Sequence, residues 1–136
     1  MKLQGVKRLK KLAEHLYNGK LIHEKFHFGY FNNGMPDEKG CGTMGCAIGE
    51  CPGIFEEWEF RFAVPLLKKQ QEYRFPTECA SAFFHIDRTE ALALFIAKHQ
   101  GVKFNLKLLD EEATKEQVAD NIKTFITNKG FDYETL

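Results

Sequence analysis

Apolar residues recur at helical spacing in three separate segments of this chain, and this periodicity is the strongest constraint on its fold. It predicts helices over residues 6–18, 89–99 and 115–128. The apolar stripe of the first helix consists of Val6, Leu9, Leu12, Ala13 and Leu16. Three amphipathic helices in one short chain favour a mainly α fold.

Residues with capping chemistry flank the last two of these helices. Asp87 or Arg88 begins the second helix, and Gly101 is the natural residue to follow its end. Thr114 and Gln117 have the spacing of a capping box, which places the start of the last helix at residue 115.

Clear strand alternation occurs in one segment, where apolar and polar residues alternate from Trp58 to Val64. Pro65 is expected to close this strand, because proline cannot donate to a strand ladder. A partner strand over residues 72–75 would complete a small hairpin. The aromatic segment from Phe26 to Tyr30 suits a second short strand.

Two shorter helices complete the prediction. One spans residues 44–50 with Thr43 as its cap, and Pro52 would break it. The other spans residues 78–84 with Thr77 as its cap. The predicted fold class is therefore mainly α: a compact helical domain with a minor antiparallel β-hairpin, and with an α+β fold as the alternative.

The length of the chain is typical of one domain, so residues 1–136 are predicted to form a single domain. A chain of this size buries about two thirds of its unfolded surface and needs neither a metal nor a disulfide to fold. The polar tail after Gly130 is expected to fray.

Nineteen basic residues balance nineteen acidic ones, so no global field attracts nucleic acid or an anionic membrane. Residues 1–25 nevertheless carry seven basic and two acidic side chains, which makes this end of the chain basic. The sequence has neither a secretory signal nor an apolar stretch of about 18 residues. We therefore expect a cytoplasmic protein without a membrane partner, in which the cysteines stay reduced.

The most unusual segment is Cys41–Gly49, which combines glycines, thiols and a threonine. Gly45 and Gly49 would share one helix face and allow close packing. Cys46 would lie in the first turn of a helix, where the pKa of a thiol is lowered. The same segment also suits a structural role, with Cys46 as a small buried side chain.

A thiol-dependent enzyme is one hypothesis for this segment. Its nucleophile would be Cys46 or Cys41, its base would be His85, and Asp87 would orient that base. The alternative for Asp87 is a helix N-cap, which requires no catalysis.

A zinc-stabilised module is another hypothesis, with Cys41, Cys46, Cys51 and Cys79 as ligands. Four residues separate each of the first three cysteines from the next, so these side chains would converge only if the chain turns between them. The default expectation is therefore that the protein holds no cofactor.

Lys7, Arg8, Lys10 and Lys11 would place a basic face on the first helix. Such a face can contact nucleic-acid phosphates without reading the sequence of bases. The alternative is the solvated side of an amphipathic helix. An isoelectric point of about 7.0 also argues against strong binding of nucleic acid.

Thirteen phenylalanines are many for a chain of 136 residues. Most are expected to lie in the core, but we predict one exposed aromatic patch and therefore a protein partner. The candidates for this patch are Phe26, Phe28, Tyr30, Phe31, Phe55, Trp58, Phe60 and Phe62.

The sequence Cys-Gly-Thr-x-x-Cys-Ala-x-Gly at Cys41–Gly49 resembles the hallmark of a group of uncharacterised small bacterial and phage proteins. That group similarly has a Leu-x-x-Leu-Ala helix before the motif, a Phe-Phe segment, and a Thr-led C-terminal helix that carries an isoleucine. The matching residues are Leu9, Leu12, Ala13, Phe83, Phe84, Thr114 and Ile122. The segment Glu50–Pro52 departs from the pattern. The resemblance implies a shared fold and no particular activity.

The leading hypothesis is a non-enzymatic interaction or accessory protein, of phage or mobile-element origin by resemblance. The thiol-dependent enzyme and the zinc-stabilised module are the alternatives.

Overall fold

A computed structural model describes residues 2–22, 25–28, 44–62, 64–69, 75–101 and 104–136. In these ranges the helices are α1 (Leu3–Asn18), α2 (Ala47–Ile54), α3 (Pro76–Phe84), α4 (Arg88–Phe95) and α5 (Lys115–Asn128). The strands are β1 (Lys25–Phe26), β2 (Met44–Gly45), β3 (Trp58–Arg61) and β4 (Val64–Leu67). All pack around one hydrophobic core. The predicted mainly α fold with a minor antiparallel hairpin is confirmed.

The two longest helices, α1 and α5, form the most extensive helix pair of the fold. The whole predicted apolar stripe of α1 is buried. The ammonium group of Lys115 joins the two helices by donating to the carbonyl oxygen of Leu16 at 2.7 Å. Thr114 and Gln117 form the predicted capping box of α5. Within the described residues, no helix has both the length and the apolar character needed to cross a membrane.

The hairpin differs from the prediction in its second strand. β3 pairs antiparallel with β4, so that Trp58 lies opposite Leu67 and Arg61 opposite Val64. The hairpin partner of β3 is thus β4, and the strand predicted over residues 72–75 falls on residues of which 72–74 lie outside the described part of the chain. Pro65 lies inside β4 and does not end β3. A two-stranded sheet tolerates this proline because each strand keeps one free edge.

The start of α2 also differs from the prediction. Its N-cap is Cys46, and the predicted cap, Thr43, lies outside the described residues. Gly45 belongs to β2, which pairs parallel with β1, so it does not share a helix face with Gly49. Pro52 does not break the helix. It removes only one backbone donor, and the helix ends two residues later.

The next helix, α3, begins two residues before the predicted start. Pro76 occupies its first turn, where a missing N–H has no cost, and Phe75 is the N-cap. Thr77 therefore lies inside the helix and does not cap it. His85 ends the helix in the left-handed conformation, with φ of 56°.

Asp87 and Glu90 form a capping box at the start of α4, which confirms the N-cap interpretation of Asp87. The helix ends at Phe95, four residues before the predicted end. The reason is the buried amide of Gln100, which donates to the carbonyl oxygens of Ala93 and Ile96 at 2.8 Å and turns the chain back.

The C-terminal tail does not fray. It forms a 3₁₀ helix at Tyr133–Thr135, and Tyr133 is buried. The ammonium group of Lys10 donates to the carbonyl oxygen of Tyr133 at 2.7 Å, and the hydroxyl of Tyr133 donates to Glu14 at 3.1 Å. These two bonds to α1 hold the tail against the core.

A close approach of α1 and α3 occurs at Gly5. A Cβ atom at this position would lie 2.1 Å from the carbonyl oxygen of Phe84, so a larger residue would separate the helices. One turn further along α1, the same approach brings Arg8 over the ring of Phe83.

Candidate binding groove

Two adjoining clefts lie beside α1 and share Arg8, Glu56 and Glu57 in their walls. The first cleft, of about 530 Å³, lies between Arg8, residues 67–69 and the end of α3. The second continues along α1 past the end of α2 to Leu3. We call the two clefts together the Arg8 groove. Several side chains that were singled out from the sequence, including Arg8 and His85, line this groove.

The guanidinium group of Arg8 is held at the junction of the two clefts. Its Cζ lies 3.9 Å from the centre of the Phe83 ring, and its Nη1 donates to the carbonyl oxygen of Phe83 at 2.8 Å. Its Nη2 lies 3.5 Å from a carboxylate oxygen of Glu57. The Arg8 side chain is 21% exposed, so a fixed cationic group faces the groove.

Buried aromatic rings support this arginine from below. Phe83 packs edge-to-face on Phe55, with ring centres 4.8 Å apart, and on Trp58, with centres 5.7 Å apart. The ammonium group of Lys11 lies 5.4 Å from the centre of the Phe55 ring. Because these rings belong to the core, the base of the groove is rigid.

The rim of the groove has more positive than negative charges. Lys7, Lys68 and Lys69 are exposed, and in the described part of the chain none of them has a carboxylate partner. The opposing carboxylates are those of Glu56 and Glu57. The backbone N–H of Lys68 donates to the carbonyl oxygen of Glu57 at 2.9 Å and fixes the two segments relative to each other.

His85, the predicted catalytic base, lies at one end of this groove. Its Nε2 is 3.3 Å from the side-chain oxygen of Gln4. The pKa of His85 is lowered from 6.5, first by partial burial and then by the positive charges of Lys2 and Arg8.

The predicted nucleophile Cys46 lies elsewhere, in the core, and is 1% exposed. Burial raises the pKa of its thiol to about 11, although the backbone amides of Gly49 and Ile48 act in the opposite direction. The expected lowering by the helix N-terminus is therefore wrong, because desolvation outweighs it. In the described structure, neither His85 nor Asp87 is among the contacts of Cys46.

The remaining members of the catalytic hypothesis have separate contacts. Asp87 lies at the surface, where its carboxylate accepts from the backbone N–H of Glu90 at 2.8 Å. Cys41 lies outside the described residues. The catalytic assignment of Cys41, Cys46, His85 and Asp87 therefore stays a prediction.

The other proposed zinc ligands are buried thiols. Cys51 donates to the carbonyl oxygen of Ala47 at 3.7 Å, and the sulfur of Cys79 accepts from the backbone N–H of Leu67 at 3.5 Å. Among the residues that the structure describes, no three side chains of the metal-binding types converge. Since Cys41 is not among them, the zinc module also stays a prediction.

The predicted basic face of α1 divides into two parts. Arg8 and Lys10 make internal hydrogen bonds, to α3 and to the C-terminal tail respectively. Lys7 and Lys11 remain exposed and line the groove. Of the predicted face, Lys7 and Lys11 are therefore exposed, whereas Arg8 and Lys10 are only partly so.

The predicted aromatic patch is divided as well. Phe28, Phe55 and Trp58 are buried, whereas Phe62 is 98% exposed. Phe26 and Phe60 are partly buried, and Tyr30 and Phe31 lie outside the described residues. Phe75, which was not predicted, is 61% exposed.

Sequence reasoning missed the residues that complete the groove, namely Glu56, Glu57, Lys68 and Lys69. They follow a helix and a strand whose ends meet only in the folded chain, so no local pattern marked them. It also missed Glu50, whose fully buried carboxylate lies 2.9 Å from Nε2 of His15. One signal was present, because Glu50 is the lone charged residue in a run of small and apolar ones.

Comparison of the chain with protein-family models, with curated proteins and with solved structures found no match. The function proposed below therefore depends on the residues and contacts of this chain.

Proposed function

We propose that this protein is a non-enzymatic interaction module that binds a segment of a protein partner in the Arg8 groove. The observation that carries the proposal is the position of Arg8, which is fixed over Phe83 at the junction of two clefts. A rigid arginine on an aromatic base is typical of the residues that dominate protein interfaces.

The mixed character of the groove favours a protein segment over nucleic acid. Glu56 and Glu57 stand among the basic residues, so the lining has mixed charge and lacks the continuous basic surface that a phosphate backbone needs. Apolar side chains contribute to both clefts, and Leu3 is 50% exposed at one end. A peptide has both apolar and charged groups to match such a surface, whereas a nucleic-acid backbone presents phosphates.

The buried thiols support a structural role for the cysteine segment. A nucleophilic thiol must ionise and reach its substrate, and the burial of Cys46 opposes both. The proposal includes a cytoplasmic location, where such thiols stay reduced. It also retains the phage or mobile-element origin that the resemblance implies.

Selection of displayed random peptides of about twelve residues on the immobilised protein tests this proposal. Enriched peptides are then titrated by fluorescence polarisation against two variants. Glu56→Trp places an indole at the junction of the clefts, and Glu112→Trp makes the same change at an exposed glutamate elsewhere. We expect Glu56→Trp to weaken binding by about tenfold or more, and Glu112→Trp to leave it unchanged.

Two outcomes would contradict the proposal. One is a failure to enrich any peptide that is sensitive to Glu56→Trp. The other is that oligonucleotides bind at about 50 mM salt, are released at about 200 mM, and lose affinity in Glu56→Trp. That result would assign the groove to nucleic acid.

A further inference from the structure

The partner segment has a specific chemistry, an inference that rests on the proposed function. We infer that the Arg8 groove takes an extended acidic segment of a protein, in which carboxylates flank an apolar anchor residue. The inference follows from the charges of the rim, the contacts of Arg8 and the exposed apolar end of the groove.

The rim provides the charge complementarity. Exposed lysines line both clefts, with Lys68 and Lys69 after β4 in the first and Lys7 and Lys11 of α1 in the second. Acidic residues of an extended segment that runs through both clefts would therefore meet a lysine pair in each. Within the described residues, Glu57 pairs with Arg8 and Glu56 has no cationic partner, so neither neutralises the lysines.

The guanidinium group of Arg8 can bind one carboxylate of the partner segment. One of its edges is already fixed on the carbonyl oxygen of Phe83, so little side-chain entropy remains to be lost on binding. Its present partner, Glu57, is 49% exposed and reaches it through a single contact of 3.5 Å. An ion pair of this kind contributes little. A partner carboxylate in the better two-bond geometry would displace Glu57 from Arg8.

The apolar anchor follows from the end of the second cleft. Leu3 is 50% exposed there and stands across the cleft from Ile54 and the buried ring of Phe55. An apolar side chain of the segment would cover this surface, while acidic neighbours on either side reach the lysines.

The peptides that are selected on the protein and weakened by Glu56→Trp provide the test. We expect them to carry a net negative charge and an apolar residue between acidic ones. The double variant Lys68→Glu with Lys69→Glu should weaken these peptides by about tenfold or more. The matched control Lys20→Glu with Lys107→Glu has the same change in net charge at exposed positions outside the groove, and it should change binding by less than about threefold.

A further variant is expected to increase the affinity for acidic peptides. Glu57→Gln removes the internal competitor for Arg8 and keeps the carbonyl oxygen that accepts from Lys68. It should strengthen the binding of acidic peptides by about twofold to fivefold. Equal or weaker binding to Glu57→Gln would overturn the displacement of Glu57.

The failure of this inference is distinguishable from failure of the proposed function. Peptides that are sensitive to Glu56→Trp but neutral or basic would overturn the acidic partner and leave the interaction module standing. The acidic partner would also be overturned if Lys68→Glu with Lys69→Glu weakened binding no more than the control Lys20→Glu with Lys107→Glu. An absence of any peptide sensitive to Glu56→Trp would overturn the proposed function itself.

Discussion

The carboxylate of Glu50 lies 2.9 Å from Nε2 of His15, and this contact joins α1 to α2 inside the protein. The Glu50 side chain is completely buried, and the His15 side chain is 11% exposed. The same carboxylate oxygen accepts from the backbone N–H of Ile22 at 2.8 Å. A buried charge with these partners fixes how α2 sits against α1, and α2 leads directly into the wall of the Arg8 groove.

Replacement of His15 is therefore expected to destabilise the fold. His15→Ala leaves the Glu50 carboxylate buried without this hydrogen-bond partner and should lower the free energy of unfolding by about 2 kcal/mol. Urea unfolding followed by circular dichroism measures the effect. The control is His99→Ala, which removes an exposed histidine and should change stability by less than about 0.5 kcal/mol. Equal effects of the two variants would contradict the role of the contact between His15 and Glu50.

We expect the protein to lose stability at alkaline pH because its buried thiols resist ionisation. Because the folded pKa of Cys46 is raised from 9.0 to about 11, its contribution to stability is complete below pH 9 and is lost as the pH rises through about 11. Burial raises the pKa of Cys51 and Cys79 in the same direction. The free energy of unfolding should therefore fall between pH 9 and pH 10, by about 1 kcal/mol from Cys46, and Cys51 and Cys79 should add to the fall.

The variant Cys46→Ala isolates one thiol. The free energy of unfolding of this variant should decline less steeply between pH 9 and pH 10 than that of the wild-type protein. Between pH 7 and pH 8 the thiols should not change the free energy of unfolding of either protein. Parallel declines would show that Cys46 is not responsible. Rapid alkylation of Cys46 in the native protein at pH 7 would instead support the thiol-dependent enzyme.

Phe62 combines a positive φ of 52° with almost complete exposure. A bulky residue is strained in this conformation, whereas asparagine adopts it readily. Phe62→Asn should raise the free energy of unfolding by about 1 kcal/mol. Phe62→Ala serves as the control, because alanine also disfavours positive φ and should give no comparable gain. The strain is refuted if thermal unfolding shows the same stability for both variants.

The periodicity of apolar residues predicts the positions of α1 and α5, each of which packs one face against the core. The stripe from Val6 to Leu16 and the box of Thr114 and Gln117 are local signals, and the structure confirms both. The end of α4 was missed because it depends on Gln100, a side chain that turns back on the helix after it has ended. The partner of β3 does not follow from the sequence, because Pro65 resembles a strand end and yet lies inside β4, where a free edge accommodates it.

The candidate groove was only partly predictable for a similar reason. Arg8 and His85 were singled out, but for phosphate contact and for catalysis, because the sequence does not show that α1 crosses α3 at Gly5. That crossing, and not any motif, brings Arg8 over Phe83 and next to Glu57. Cys46 is conspicuous in the sequence, yet its burial depends on tertiary packing that a spacing rule does not contain.

The most direct test of the account is a map of the backbone amide chemical shifts when a selected acidic peptide is titrated into the isotope-labelled protein. The largest changes should fall on residues 7, 8, 11, 56, 57, 67–69, 83 and 85, which line the Arg8 groove. Changes along α5 should be small. Largest changes around Phe62, around Phe75 or along α5, with the groove unaffected, would contradict binding in the groove.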